Sequence, residues 1–166
     1  MIKWNKMMST NRILVFLTLA AVLCGCRKHT EVFFDTPFVR IEDFNGASTM
    51  DIDHKLDNLL SEIQIVVSAS GNYFTAPIVV DYDIIPGDGL KEGVDYKLQQ
   101  SSARSLTFSP GTYRLPIRVI WYNTGKPDAS KNNTLTFRIT GTSVPEMLLG
   151  LPGPDAKKKE FVFTKK

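Results

Sequence analysis

Few side chains in this 166-residue sequence are of a type that does chemistry, and their spacing is sparse. Cys24 and Cys26 stand two apart, directly after an apolar run. His29 and His54 have no partner at ligand or triad spacing. There is no H-E-x-x-H, no G-x-S-x-G and no Gly-rich phosphate loop. A pair of carboxylates can work as acid and nucleophile or base in glycoside hydrolysis, but a domain this small leaves little room for a deep cleft. The expectation is no catalytic residue and no cofactor. Aromatic residues near turns are the remaining clue. Tyr73 and Phe74 follow the Gly71-Asn72 turn, Tyr113 follows Pro110-Gly111, and Tyr122 ends an apolar stretch. Such rings either stack on sugars and anchor partners or fold back onto the rim of the core.

What must position these residues begins with the N-terminus. Residues 1–12 carry Lys3, Lys6 and Arg12 and no acid. Residues 13–23, ILVFLTLAAVL, are uncharged. That run is too short for a bilayer-spanning helix, which needs about 20 apolar residues, but it suits the h-region of a secretion signal. The following Leu23-Cys24-Gly25-Cys26 resembles the bacterial lipobox, an aliphatic residue and two small ones before the modified cysteine. The resemblance implies that residues 1–25 are a cleaved lipoprotein signal peptide. Cys26 then carries the lipid, and residues 26–30 are a tether. Cys24 leaves with the signal, so the mature chain has one cysteine, no internal disulfide and no thiol for catalysis. Met7 or Met8 is an alternative start to Met1.

Charge follows the same division. The whole chain has formal net charge +3, but the three bases of residues 1–12 account for it. The remainder has as many basic as acidic side chains. Five lysines (157, 158, 159, 165 and 166) crowd the last ten residues. They read either as solvated charge flanking a final strand or as a basic patch for an anionic surface. No stripe of the kind that binds nucleic acid is present. An apolar share of 43% with 22% charged residues is that of a folded domain rather than a disordered chain.

From residue 31 the pattern is mostly period two, rich in β-branched and aromatic residues and cut by Gly, Pro, Asn and Asp. Strands are predicted over residues 31–34, 38–44, 63–69, 77–85, 95–98, 104–108, 114–122, 133–140 and 160–164. In residues 114–122, Ile117, Val119 and Trp121 share the face expected to be buried. Residues 51–60, DIDHKLDNLL, hold Ile52, Leu56, Leu59 and Leu60 at helical spacing, so a helical turn is expected there, with an irregular strand as the rival. Residues 143–155, with three prolines, are expected to be loop. Short strands with turns at this spacing point to an all-β sandwich or barrel.

Between Val79 and Thr140 the sequence resembles Calx-β domains, an immunoglobulin-like family. The residues that carry the likeness are VVDYDII, then Gly93-Val94-Asp95-Tyr96, then Leu106-Thr107-Phe108-Ser109-Pro110-Gly111, then the strands starting at Leu115 and Leu135. With the lipobox, the chain resembles Bacteroidota-type surface or periplasmic lipoproteins that carry such a domain. The likeness implies an immunoglobulin-like, Calx-β-like sandwich of seven or eight strands over residues 31–166. Many Calx-β domains bind Ca²⁺ through loop acids. Asp83, Asp88, Glu92 and Asp95 are the corresponding candidates here, since a hard cation needs several oxygens. Yet the loop before Leu135 reads KPDASKNN, where calcium-binding members are acid-rich.

The sequence therefore predicts a non-enzymatic lipoprotein of the outer membrane, anchored through Cys26 and facing the cell surface or the periplasm. One role is binding, with glycan capture through Tyr73, Phe74, Tyr113 and Tyr122. The other is a structural or protein-partner module of an adhesin or outer-membrane assembly. There an edge strand or the lysine-rich tail would add to a partner's sheet.

Overall fold

In the computed structural model, residues 36–69, 74–99 and 104–166 are described. They belong to one compact unit, Asp35–Lys166. The strands are β1 (Phe38–Glu42), β2 (Thr49–Ile52), β3 (Leu59–Ser68), β4 (Ile78–Pro86), β5 (Tyr96–Leu98), β6 (Ser105–Phe108), β7 (Arg114–Trp121), β8 (Thr134–Thr142), β9 (Leu148–Leu149) and β10 (Glu160–Lys165). They form two five-stranded sheets, in the order β5-β7-β3-β1-β9 and β2-β10-β8-β4-β6. No helix forms among the described residues, and the all-β sandwich expected from alternation is what the chain adopts.

Side-chain alternation builds the core directly. Ile117, Val119 and Trp121 of β7 point inward opposite Ile63, Ser61 and Leu59 of β3. Leu135, Phe137 and Ile139 of β8 face inward beside Phe163 and Phe161 of β10. The sheets meet in a chain of rings. Tyr96 lies 5.8 Å from Trp121, Trp121 lies 5.4 Å from Phe163, and Phe163 lies 5.9 Å from Phe137. Edge-on ring geometries of this kind stabilise beyond the area they bury.

One side of the sandwich is closed by two strand crossings. The chain passes from β1 in the first sheet to β2 in the second, and later from β9 in the first to β10 in the second. Each crossing pairs parallel to the other, β1 with β9 and β10 with β2. The switch is sharp: the Lys158 carbonyl accepts from Ile41 of β1, and the next carbonyl, Lys159, accepts from Ile139 of β8. Among the described residues every sheet edge is then a strand of four residues or fewer, which limits unwanted pairing with other chains.

Two expectations need correction. Residues 51–60 form neither a helical turn nor one strand. Ile52 ends β2 in the second sheet and Leu59 begins β3 in the first, so these apolar residues serve different sheets. The link between them is a tight turn, in which the Asp53 carboxylate accepts from the Lys55 amide at 2.9 Å and the Asp53 carbonyl accepts from Leu56. Leu56 and Leu60 are exposed, so no apolar stripe needs a helix. Among the described residues the sandwich also has ten strands rather than seven or eight. The unforeseen ones, β2 and β9, are short segments defined by pairing across the crossings. The strand expected over residues 31–34 lies outside the described residues.

Candidate binding site

The register gives the sandwich two ends. At the proximal end β1 begins, and the turns after β3, β6 and β8 gather. At the distal end lie residues 53–58, the β4–β5 loop (87–95), the β7–β8 loop (122–133) and the end of β10.

The four aromatic candidates do not come together. Phe74 and Tyr113 are proximal, Tyr122 is distal, and the length of β7 separates Tyr113 from Tyr122, about 30 Å at strand rise. Phe74 is 5% exposed, its ring edge-on to Tyr113 at 5.1 Å. It has folded onto the rim and is not free to stack on a sugar. Tyr113, at 44% exposure, covers it. Tyr122 is half-buried, with its backbone committed on both sides. Tyr73 and Cys26 lie outside the described residues. A single aromatic platform built from these residues is thus not formed.

The four acids considered for Ca²⁺ disperse as well. Asp83 sits on the outer face of β4 opposite Arg138. Asp88 accepts from the Asn132 amide at 2.8 Å. Glu92 bridges to Tyr96 by backbone pairing. Asp95 is taken up by a lysine. Among the described residues no three His, Cys, Asp or Glu side chains gather as a metal site would require.

That lysine is Lys165, which the sequence reading grouped with the solvated tail. Its side chain is 1% exposed. The ammonium donates to Asp95 Oδ1 at 3.0 Å, to the Tyr122 carbonyl at 2.9 Å and to Thr124 Oγ1 at 2.8 Å. Three donors thus meet three acceptors, which is what a buried ammonium requires. The Thr124 hydroxyl in turn donates to Asp95 Oδ1 at 2.6 Å, and the Lys91 amide donates to the other carboxylate oxygen at 2.9 Å. Burial pushes the Asp95 carboxyl up, but these hydrogen bonds and the Lys165 charge outweigh it and hold it below its ordinary 3.8. The network ties the β4–β5 and β7–β8 loops to the end of β10. Gly93, at φ +83°, makes the turn that aims Asp95 inward.

The sequence held a signal for this lysine. In EFVFTK, Phe161, Phe163 and Lys165 fall on one face, so Lys165 enters the core in the register of two phenylalanines. The rest of the tail has separate fates. Lys158 pairs with Glu42 at 2.7 Å, Lys166 pairs with Asp51 at 2.6 Å, and Lys157 is exposed. Glu160–Lys165 is paired on both sides, with β2 and β8. It cannot add to a partner's sheet, which overturns that use of the tail.

Beside the clamp opens a cleft of about 480 Å³, within the range of small-ligand sites. Lys126, Pro127, Ala129, Lys131, Asn132 and Asn133 come to it from the β7–β8 loop, Thr134 from the start of β8, and residues 164–166 from the end of β10. Gly89 of the neighbouring turn packs so closely that a Cβ there would lie 2.0 Å from Asn133 Oδ1. The Asn133 amide in turn donates to the Asp128 carbonyl at 2.7 Å. The cleft is therefore braced from behind.

Comparison with protein-family models finds no match, and a search of the curated proteins finds none either.

Proposed function

We propose that this chain is a non-enzymatic lipoprotein of the cell envelope, held in the outer membrane through Cys26, that captures ligands, with glycans the favoured class. The observation that carries the reading is the position of the cleft. It opens at the distal end, while the chain leaves β1 toward Cys26 at the proximal end. The cleft therefore lies at the end of the sandwich opposite the point where the described residues begin. The lining combines lysine and amide donors with Pro127 and Ala129, which suits a sugar ring better than a reaction.

The strand order supports the immunoglobulin-like part of the proposal. Taking β1, β3, β4, β7, β8 and β10 as A, B, C, E, F and G, the sheets contain E-B-A and G-F-C, the neighbours of that fold. β5 occupies the place of strand D beside E but precedes β6 in the chain, a departure from the simple order. The Calx-β likeness maps onto β4, the turn into β5, and β6 to β8.

Protease treatment of intact cells, comparing wild type with Cys26→Ala, tests the anchor and its direction. The expected result is a membrane-bound wild type that is shaved from outside and a released, protected variant. A wild type that is membrane-bound yet protected faces the periplasm, and a structural partner then becomes the better assignment. A variant that stays membrane-bound refutes the anchor. Binding by the full chain in detergent across a polysaccharide panel tests capture, and failure to retain any glycan refutes it.

A further inference from the structure

The distal cleft is lined by lysine and amide donors. Three of its carbonyls are already engaged by neighbours. Asn132 O accepts from Gly89, Asn133 O from Lys165, and Thr134 O from Gly87, at 2.9, 3.0 and 2.7 Å. The Asn132 side-chain oxygen accepts from the Thr134 amide at 3.1 Å and its hydroxyl at 2.8 Å, which leaves the amide Nδ2 as the part able to meet a ligand. Lys126 and Lys131 line the cleft, and neither forms an ion pair within 4.0 Å among the described residues. The carboxylates nearby are committed: Asp51 to Lys166, Asp88 to the Asn132 amide, and Asp128 to the Ser130 amide and hydroxyl. Asp128 also faces Lys131 electrostatically, and Ser130 holds its carboxyl below the ordinary value. The Lys165 ammonium is turned away into the clamp.

A site of this composition matches a ligand that brings acceptors and negative charge. We propose that the cleft takes the anionic substituent of an acidic polysaccharide, a uronate carboxylate or a sulfate or phosphate ester. Lys126, Lys131 and Asn132 Nδ2 are its donors, and Pro127 and Ala129 lie beside the sugar ring. This rests on the glycan-capture reading and narrows it to a class and a place. Charge-assisted bonds to such oxygens are the stronger kind, and the exposed ammonium groups of Lys126 and of Lys131, the latter also facing Asp128, give them at little desolvation cost.

The test uses the full chain in detergent and four probes: polyuronate, dextran sulfate, polyphosphate and neutral dextran. Wild type is expected to bind polyuronate or dextran sulfate, to ignore dextran, and to weaken as salt rises from about 50 to about 200 mM; binding to polyphosphate alone overturns the polysaccharide assignment. Lys126→Gln with Lys131→Gln is expected to weaken binding at least about tenfold with an unchanged melting temperature. Ala129→Glu, which adds a carboxylate at an exposed lining position, should abolish it. Lys97→Gln on the outer face of β5 is the control and should bind as wild type. Equal binding by the double variant and by Ala129→Glu overturns the site while leaving glycan capture standing. Retention of neutral glycans alone overturns the acidic class. No retention of any glycan overturns capture itself, and the inference with it.

Discussion

Lys165 and Asp95 are the pair on which the distal end depends. Removing one member of a buried, hydrogen-bonded ion pair leaves the other uncompensated, typically at about 3–5 kcal/mol. Asp95 keeps Thr124 and the Lys91 amide and is not wholly buried, so Lys165→Met is expected near the lower bound, about 3 kcal/mol. Thermal melts should show a loss of roughly 10 °C. Replacing both partners, Lys165→Met with Asp95→Leu, should cost less than Lys165→Met alone. The pair also sets a pH response. The native Asp95 carboxyl lies below its unfolded value, so its ionised form stabilises the fold at neutral pH. That contribution is lost as pH falls from about 4 through the lowered native value. Glu42 acts in the same sense. Burial raises it, but hydrogen bonds from Arg40 and Lys158 and their charges bring it below 4.5. Asp95→Asn should therefore lower stability at pH 7 and flatten the acid limb of a denaturant-monitored pH curve.

At the scale of elements, β10 carries more than its position in the sequence suggests. It is the inner partner of both β2 and β8, and it supplies Phe161 and Phe163 to the ring cluster. Deleting residues 160–166 should abolish folding rather than remove a loose tail, as judged by loss of the sheet signal in circular dichroism. Phe163→Ala, which removes contacts to Trp121, Phe137 and Phe161 at once, should cost about 3–5 kcal/mol. Strands β4, β7, β8 and β10 were legible because their faces alternate and carry large apolar residues, and β3 because its β-branched run, buried from Ile63 to Val67, ends at a turn signal. Residues 51–60 misled because Ile52, Leu56, Leu59 and Leu60 happen to recur at helical spacing while belonging to two strands and a turn. β2 and β9 carry too few residues for any periodicity, and only their parallel partners make them strands.

At the scale of the whole molecule, the two ends divide the work. The proximal end holds Phe74 under Tyr113 and the start of the path toward Cys26; the distal end holds the clamp and the cleft. Gly89→Ala should disturb the cleft more than the fold, because the new Cβ meets Asn133 Oδ1, a side chain that braces the β7–β8 loop. Limited proteolysis within residues 122–133 is expected to accelerate while the core ring contacts, followed by tryptophan fluorescence, stay unchanged.

The sequence by itself determined the all-β character, the buried face of β7 that ends in Trp121, and the motif that turns the chain at Gly93. Each of these depends on neighbours close along the chain. The placement of Lys165 against Asp95, 70 residues away, and the gathering of the β7–β8 loop with the end of β10 were decided by tertiary structure. So was the separation of Tyr113 from Tyr122 to opposite ends. Strand pairing alone sets which loops share an end, and a period-two pattern is the same whichever neighbour a strand acquires.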